Sequence, residues 1–325
     1  MRTSWIAVLL LGMGAVAAAQ ESHLNLLDDS RLPATLAAAE EQDKKDQTVV
    51  IEGDKLKDEL PVGPYRRPMW TLHRVSPTTR IYLQVDPGEV EFEQWLDIRV
   101  RKERTDPDDR VRMATEFEFG LGGRFQLDLY MNTIFSRNQG QNSSLSIRSW
   151  AAELRWALAD WGVIPGNPTL YLEYIMWNND PSGHGDEATS SIEPKLLLGG
   201  EIARGFHWGT NMFWEATFND SVREMGITGS IIYTVVDGIF SAGLTSKFVY
   251  EVDEVAGGPP RERSRELYFG PSFQLRMARI ETEMEVNGVK TKVMKAKAHL
   301  DIEPIFGLTG HSDRAQVLIV FGWDF

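Results

Sequence analysis

The sequence predicts an all-β protein, a transmembrane up-and-down antiparallel β-barrel of about twelve strands. Three observations lead there. Apolar and polar residues alternate with period two from residue 90 to residue 325. The alternating segments hold about 10–14 residues, which suits tilted membrane strands better than the ~5–6 typical of globular sheets. Their connections are by turns long and short, as in barrels with loops on one side of a bilayer and tight turns on the other.

The elements follow in order. Residues 1–19 read as a signal peptide: Arg2, the apolar run "WIAVLLLGMGAV", then "AAA" before Gln20. Residues 20–60 are polar and read as a flexible periplasmic arm. Residues 61–89 form a pre-barrel segment in which "YRRPMWTLHRVSPTTRIYLQ" mixes basic, aromatic and β-branched residues. It either enters the lumen or lies along a rim. If it enters, Arg66, Arg67, Arg74 and Arg80 complement an acidic interior. The net charge of −13 excludes a nucleic-acid partner. The absence of cysteine excludes a disulfide framework and a lipid anchor on an N-terminal cysteine.

The barrel occupies 90–325. Strands are expected at 90–102, 109–121, 124–136, 145–158, 169–178, 189–201, 206–218, 223–236, 239–252, 265–276, 296–309 and 313–325. In "VEFEQWLDIRV" Phe92, Leu96 and Ile98 share one face, and Glu91, Glu93, Asp97 and Arg99 the other. In "FQLDLYMNTIF" Phe125, Leu127 and Leu129 oppose Gln126 and Asp128. The stretch 277–295 also alternates around an "NG" hairpin signal. Counted as one more strand it sends the two termini to opposite sides, so it reads as an elaborated periplasmic turn. Fourteen strands is the alternative, with this stretch supplying two.

The chain ends "VLIVFGWDF", with Ile319, Phe321, Trp323 and Phe325 on one parity. Together with the signal peptide and the alternating strands, this ending resembles the bacterial outer-membrane β-barrel proteins. The resemblance covers 90–325 and singles out no subfamily. It implies a place in the outer membrane among its lipids. It also implies that these four residues are read as an insertion signal by the barrel-assembly machinery. Trp150, Trp156, Trp161, Trp177, Trp208, Trp214 and Trp323 are expected in the interfacial girdles.

The opposite parity faces the lumen. It supplies Glu93, Glu116, Glu118, Asp128, Arg148, Arg155, Glu173, Glu193, Lys195, Glu215, Arg276, Asp301 and Glu303. Acids outnumber bases, and acidic rings favour cations. The expected function is therefore a porin-like channel or transporter for small solutes or ions, weakly cation-selective. The alternative is a plugged structural or adhesion barrel acting through its outer loops. No Gly-x-Ser-x-Gly elbow or lipid-facing triad is found, so no enzyme and no cofactor are expected. Asp180, His184, Asp186 and Glu187 in "NNDPSGHGDE" read as solvated turn chemistry rather than a metal or protease site. His207 and His299 bind a metal only if they are neighbours across the barrel. Association into homo-oligomers is left open.

Overall fold

The computed structural model describes residues 56–100, 110–136, 144–178, 190–218, 222–253, 261–286 and 289–325. The signal peptide, the arm as far as residue 55, the loop holding Asp180 and His184, and Asn287–Gly288 lie outside the described residues. Among those described, fourteen strands share one sheet. Two are two-residue pieces, β1 (Pro61–Val62) and β2 (Arg67–Pro68). The remaining twelve build the wall: β3 (Val90–Val100), β4 (Arg110–Gly122), β5 (Phe125–Ser136), β6 (Ser144–Ala157), β7 (Thr169–Trp177) and β8 (Ser190–Ala203), then β9 (Phe206–Thr217), β10 (Val222–Val236), β11 (Phe240–Asp253), β12 (Arg261–Val286), β13 (Val289–Gly307) and β14 (Ala315–Asp324).

Every wall strand pairs antiparallel with its neighbour in sequence, and β14 closes on β3 from Ala315↔Val100 to Asp324↔Glu91. Closure leaves no wall edge with unpaired backbone groups, the condition for strands to cross lipid. The expected strands match the observed ones to within a few residues except at β12 and β13. Those two run on past the wall and join in a hairpin at Val286↔Val289. The stretch 277–295 is thus a continuation of two wall strands, and the wall has twelve strands, not fourteen.

Ala278 interrupts the ladder where this extension begins: Met277 pairs with Ala298 and Arg279 with Ala296. Its φ of +49° is strained for a residue with a Cβ. Ala278→Gly is expected to raise the thermal midpoint of the folded, heat-modifiable form. After glycine's extra unfolded-state entropy is subtracted, the gain is up to about 1 kcal/mol. A lowered midpoint would show that the Ala278 methyl group contributes packing that outweighs its strain.

Leu129, Leu154, Leu172, Leu244, Phe269 and Phe321 are exposed on the outer face. A soluble monomer rarely shows so continuous an apolar surface. Trp150, Trp156, Trp214 and Trp323 point outward as girdle residues do, and Trp208 is half-buried. Trp161 and Trp177 do not belong with them. Trp161 lies in the β6–β7 connection and packs edge-on against Trp70 and Tyr82, with ring centroids 5.6 and 5.4 Å apart. Trp177 shares the inward parity of Glu173, and its Nε1 donates to Ser191 Oγ at 2.8 Å. Proximity to a strand end suggested the girdle; parity decides against it for Trp177, and packing on the inserted segment does so for Trp161.

Candidate functional site

The lumen contains the chain's own residues 56–89. Trp70, Leu72, Val75, Ile81, Tyr82 and Leu83 are almost wholly buried. Their neighbours touch opposite sides of the wall: Arg74 reaches Glu93 on β3 and Gln274 on β12, while Arg80 reaches Asp128 on β5 and Asn211 on β9. Of the two placements open to the pre-barrel segment, the structure shows the inner one. Prolines at 61, 64, 68, 77 and 87 keep this segment from joining the sheet as a long strand. Lumen side chains satisfy its backbone instead. Asn211 accepts from Arg80 N–H at 2.9 Å and donates to Arg80 C=O at 2.6 Å. Gln126 Oε1 accepts from the N–H of Gln84 at 2.7 Å. At the rim, Val62 pairs with Val286 of the extended hairpin, and Met69 packs beside them.

The wall that receives this segment has two unlike halves. On one, cross-strand register lines up carboxylates. Asp324 faces Glu91, which faces Glu118, then Asp128, Glu153, Glu173 and Glu193 in turn, on β14 and β3 to β8. A shorter acidic row continues on the other half near the long loops, where Glu215 on β9 faces Glu224 on β10, which faces Glu251 on β11. Because barrel strands are tilted, such a row climbs rather than forming a ring. Glu91 is the second residue of β3, beside the C-terminal Phe325, whose N–H donates to Val90, whereas Glu193 and Glu251 lie near the strand ends that carry the long loops.

Like charges directly opposite each other destabilise a sheet, so cations must answer them. Arg74 contacts Glu93, Glu116 and Glu118, the last two at 3.0 and 3.2 Å. Arg80 contacts Glu116, Asp128 and Glu153 at 2.9, 3.3 and 3.3 Å. Arg155, from the wall, bonds to Asp128 and Glu153. Burial and the nearby Arg80 oppose the charge on Arg74, yet Glu93, Glu116 and Glu118 outweigh them and hold its pKa above the ordinary arginine value. Further up the row, Lys195 Nζ sits 2.6 Å from Glu193 and above the Tyr171 ring.

The other half is lined by small residues. Gly199 pairs with Gly209, Gly209 with Ser230, Ser230 with Thr245, and Thr245 with Gly270. Here the inserted backbone lies against the wall. Ser76 and Ser230 hydroxyls meet at 2.7 Å, and Thr79 Oγ1 donates to Thr228 Oγ1 at 3.2 Å. A Cβ on Gly199 would come within 2.5 Å of Ile81 Cγ2, and one on Gly209 within 2.9 Å of the same atom.

The candidate lumen residues Glu93, Glu116, Glu118, Asp128, Arg155, Glu193, Arg276, Asp301 and Glu303 are buried on the inner face. Glu173, Lys195, Glu215 and Arg148 are half-buried there. Arg148 is brought inward as the extra residue of a bulge in β6, where Ile147 and Ser149 pair with consecutive Thr133 and Asn132, and it lies over the Trp177 ring at 4.9 Å. Arg276 is paired with Asp58. His207 and His299 are not brought together. His207 stacks on Trp70 at 4.1 Å, and His299 lies beside His73 at 4.7 Å. Burial, with the nearby cations Arg276 and Lys295, pushes the His73 pKa down.

Above Arg80 the lumen is not filled. One cavity of about 270 Å³ is lined by Trp95, Tyr130, Glu173 and Lys195. A second, of about 260 Å³, shares Trp95 and Asn132 and extends past Asp97 and Arg148 toward the long loops. Sequence reasoning missed the seat at Gly199 and Gly209. Its signal was present, since a glycine at an inward position of a regular strand marks close approach of another backbone.

No family model and no curated protein matches the chain. Among solved structures, an outer-membrane channel from Pseudomonas putida F1 is similar over 75% of this chain and 98% of its own, at 11% identity and a TM-score of 0.41. The beta domain of the Bordetella autotransporter Brka is similar over 74% of this chain and 100% of its own, at 10% identity and a TM-score of 0.42. The wall itself decides the class. Twelve strands closed without an edge, apolar toward the outside and charged toward the inside, suit one environment. The chain folds as a closed, twelve-stranded antiparallel β-barrel with a lipid-compatible outer face.

Proposed function

We propose that the protein is an outer-membrane channel for small ions or solutes, cations by preference, whose resting lumen is closed by its own residues 56–89. The climbing row of carboxylates carries this reading. Fixed negative charge along a path from the long-loop end to the inserted segment attracts cations and repels anions. The cavities above Arg80 give that path room. Glu173, Glu193 and Glu215 lie on the stretch of the row above the plug arginines, so they are the residues assigned to selectivity. Ile319, Phe321, Trp323 and Phe325 are assigned the insertion signal, on their outward parity at the closing strand.

The test is a planar-bilayer recording of the refolded protein under a salt gradient, with heat-modifiable mobility as the folding control. The unmodified protein is expected to stay closed, and a variant with Arg74 and Arg80 both changed to methionine, which loosens the segment, to show discrete steps with a cation-biased reversal potential. Changing Glu173, Glu193 and Glu215 together to Gln is expected to move that potential toward zero. The burial of the inserted segment favours a second reading, a closed structural or binding barrel that works through its outer loops. A folded barrel that stays silent even after the segment is loosened would establish that second reading.

A further inference from the structure

We infer that His73, His299 and Glu91 form a binding site for one divalent transition-metal ion of the zinc, cobalt or nickel kind. The three come from separate parts of the molecule: the inserted segment, β13 and β3. Each offers a ligand atom, all lying within 4.8 Å of one another, and all three side chains are buried. Two imidazoles and one carboxylate are a donor set that borderline metal ions favour.

Independent features point to a ligand there. His73 Nδ1 is buried with no hydrogen-bond partner among the described residues, a state that buried nitrogens rarely tolerate. His299 turns Nε2 to Glu91 Oε1 at 3.0 Å, while Nδ1 lies 3.2 Å from Asp301 Oδ2 without the alignment of a hydrogen bond. A small rotation of either side chain would align that carboxylate behind the imidazole, the arrangement that fixes the tautomer of a metal-bound histidine. The wall also leaves space. Gly322 lies beside His299, and a Cβ there would fall 1.9 Å from His299 Nε2 and 2.8 Å from Glu91 Oε1.

The neighbouring cations are already engaged: Arg276 with Asp58, and Lys295 with Glu89 and Asp324. Five other buried acidic groups of the lumen are different. Glu93, Glu116, Glu118, Asp128 and Glu153 are occupied by Arg74, Arg80 and Arg155. An ion at His73 joins the inserted segment to two wall strands, so occupancy ties the plug to the barrel.

The competing arrangement is a protonated His299 serving only as counter-ion to Glu91 and Asp301. Titration of the untagged, chelator-stripped, full-length folded protein with Co²⁺ separates the two, read by its visible absorption and by displacement with Zn²⁺. One ion per chain is expected. His73→Ala and Glu91→Gln are expected to weaken binding by on the order of a hundredfold, and Asp301→Asn by about tenfold. His311→Ala, an exposed histidine away from the cluster, should leave binding unchanged. His73 lies outside the wall, so its variant keeps the test sound where a wall variant fails to fold. No cobalt spectrum from folded protein, or full binding by His73→Ala, would overturn the site.

Discussion

Replacing Arg74 and Arg80 together by methionine is expected to turn a closed barrel into a conducting one. Five buried carboxylates, Glu93, Glu116, Glu118, Asp128 and Glu153, share three guanidinium groups. With two of the three removed, Arg155 alone remains. Breaking a buried pair from one side costs about 3–5 kcal/mol, because the surviving charge is left unsolvated. Water can supply that solvation only where the inserted segment has left. Methionine keeps most of the side-chain volume, so lost packing is not the cause. Single-channel recording should show steps that the unmodified protein lacks, and residues 56–89 should become susceptible to protease. The opposite change, Glu118→Gln, removes charge from a cluster already rich in acid and should leave the lumen closed. Conduction from the glutamine variant, or silence from the folded double methionine variant, would contradict this account.

The second large effect is steric. Gly199→Val with Gly209→Leu fills the seat of Ile81 from the wall side. Added Cβ atoms would stand 2.5 and 2.9 Å from Ile81 Cγ2, and 3.0 Å from Val75 Cγ2 at Gly209. Heavy atoms do not approach that closely, so either the wall or the segment must move. The wall is held by backbone pairing on both sides, Gly199↔Gly209 and Gly209↔Ser230, whereas the segment rests on side-chain contacts. The segment should therefore yield, and the lumen open with all its charges unchanged. Discrete steps that the parent lacks, with the cation bias set by the acidic row, are the expected recording. Unchanged conductance from a folded variant would place the closure elsewhere than on Ile81.

The wall was legible because its two constraints are local. Period-two alternation fixes which side chains face lipid, and turn chemistry fixes where strands end. That is why "VEFEQWLDIRV" could be placed and its inward acids named. The plug was half legible. Arg74 and Arg80 could be matched to an acidic lumen by charge, but an irregular segment has no period, and its contacts join residues far apart in sequence. The acidic row was hidden for a related reason. Each acid is visible on its own strand, but the facing of Glu91, Glu118 and Asp128 depends on register between strands, which the alternation of one strand does not state. The partnership of His73 with His299 was out of reach entirely, since it needs both the path of the plug and the missing side chain at Gly322.

Position in the chain also sets an order in time. The seam between β14 and β3 joins residues such as Gln316 and Asp97, whose side chains bond across a sequence separation of 219 residues. Bringing such distant pieces together is the slowest part of building a closed wall, because loop entropy must be lost before contacts repay it. Residues 56–89 emerge from the ribosome before any wall strand and are tethered directly to β3. Arg74 holds Glu93 on that first strand, and its carbonyl oxygen accepts from Gln274 on β12. The stopper of the finished barrel is thus also a mandrel, around which the late strands find the early ones.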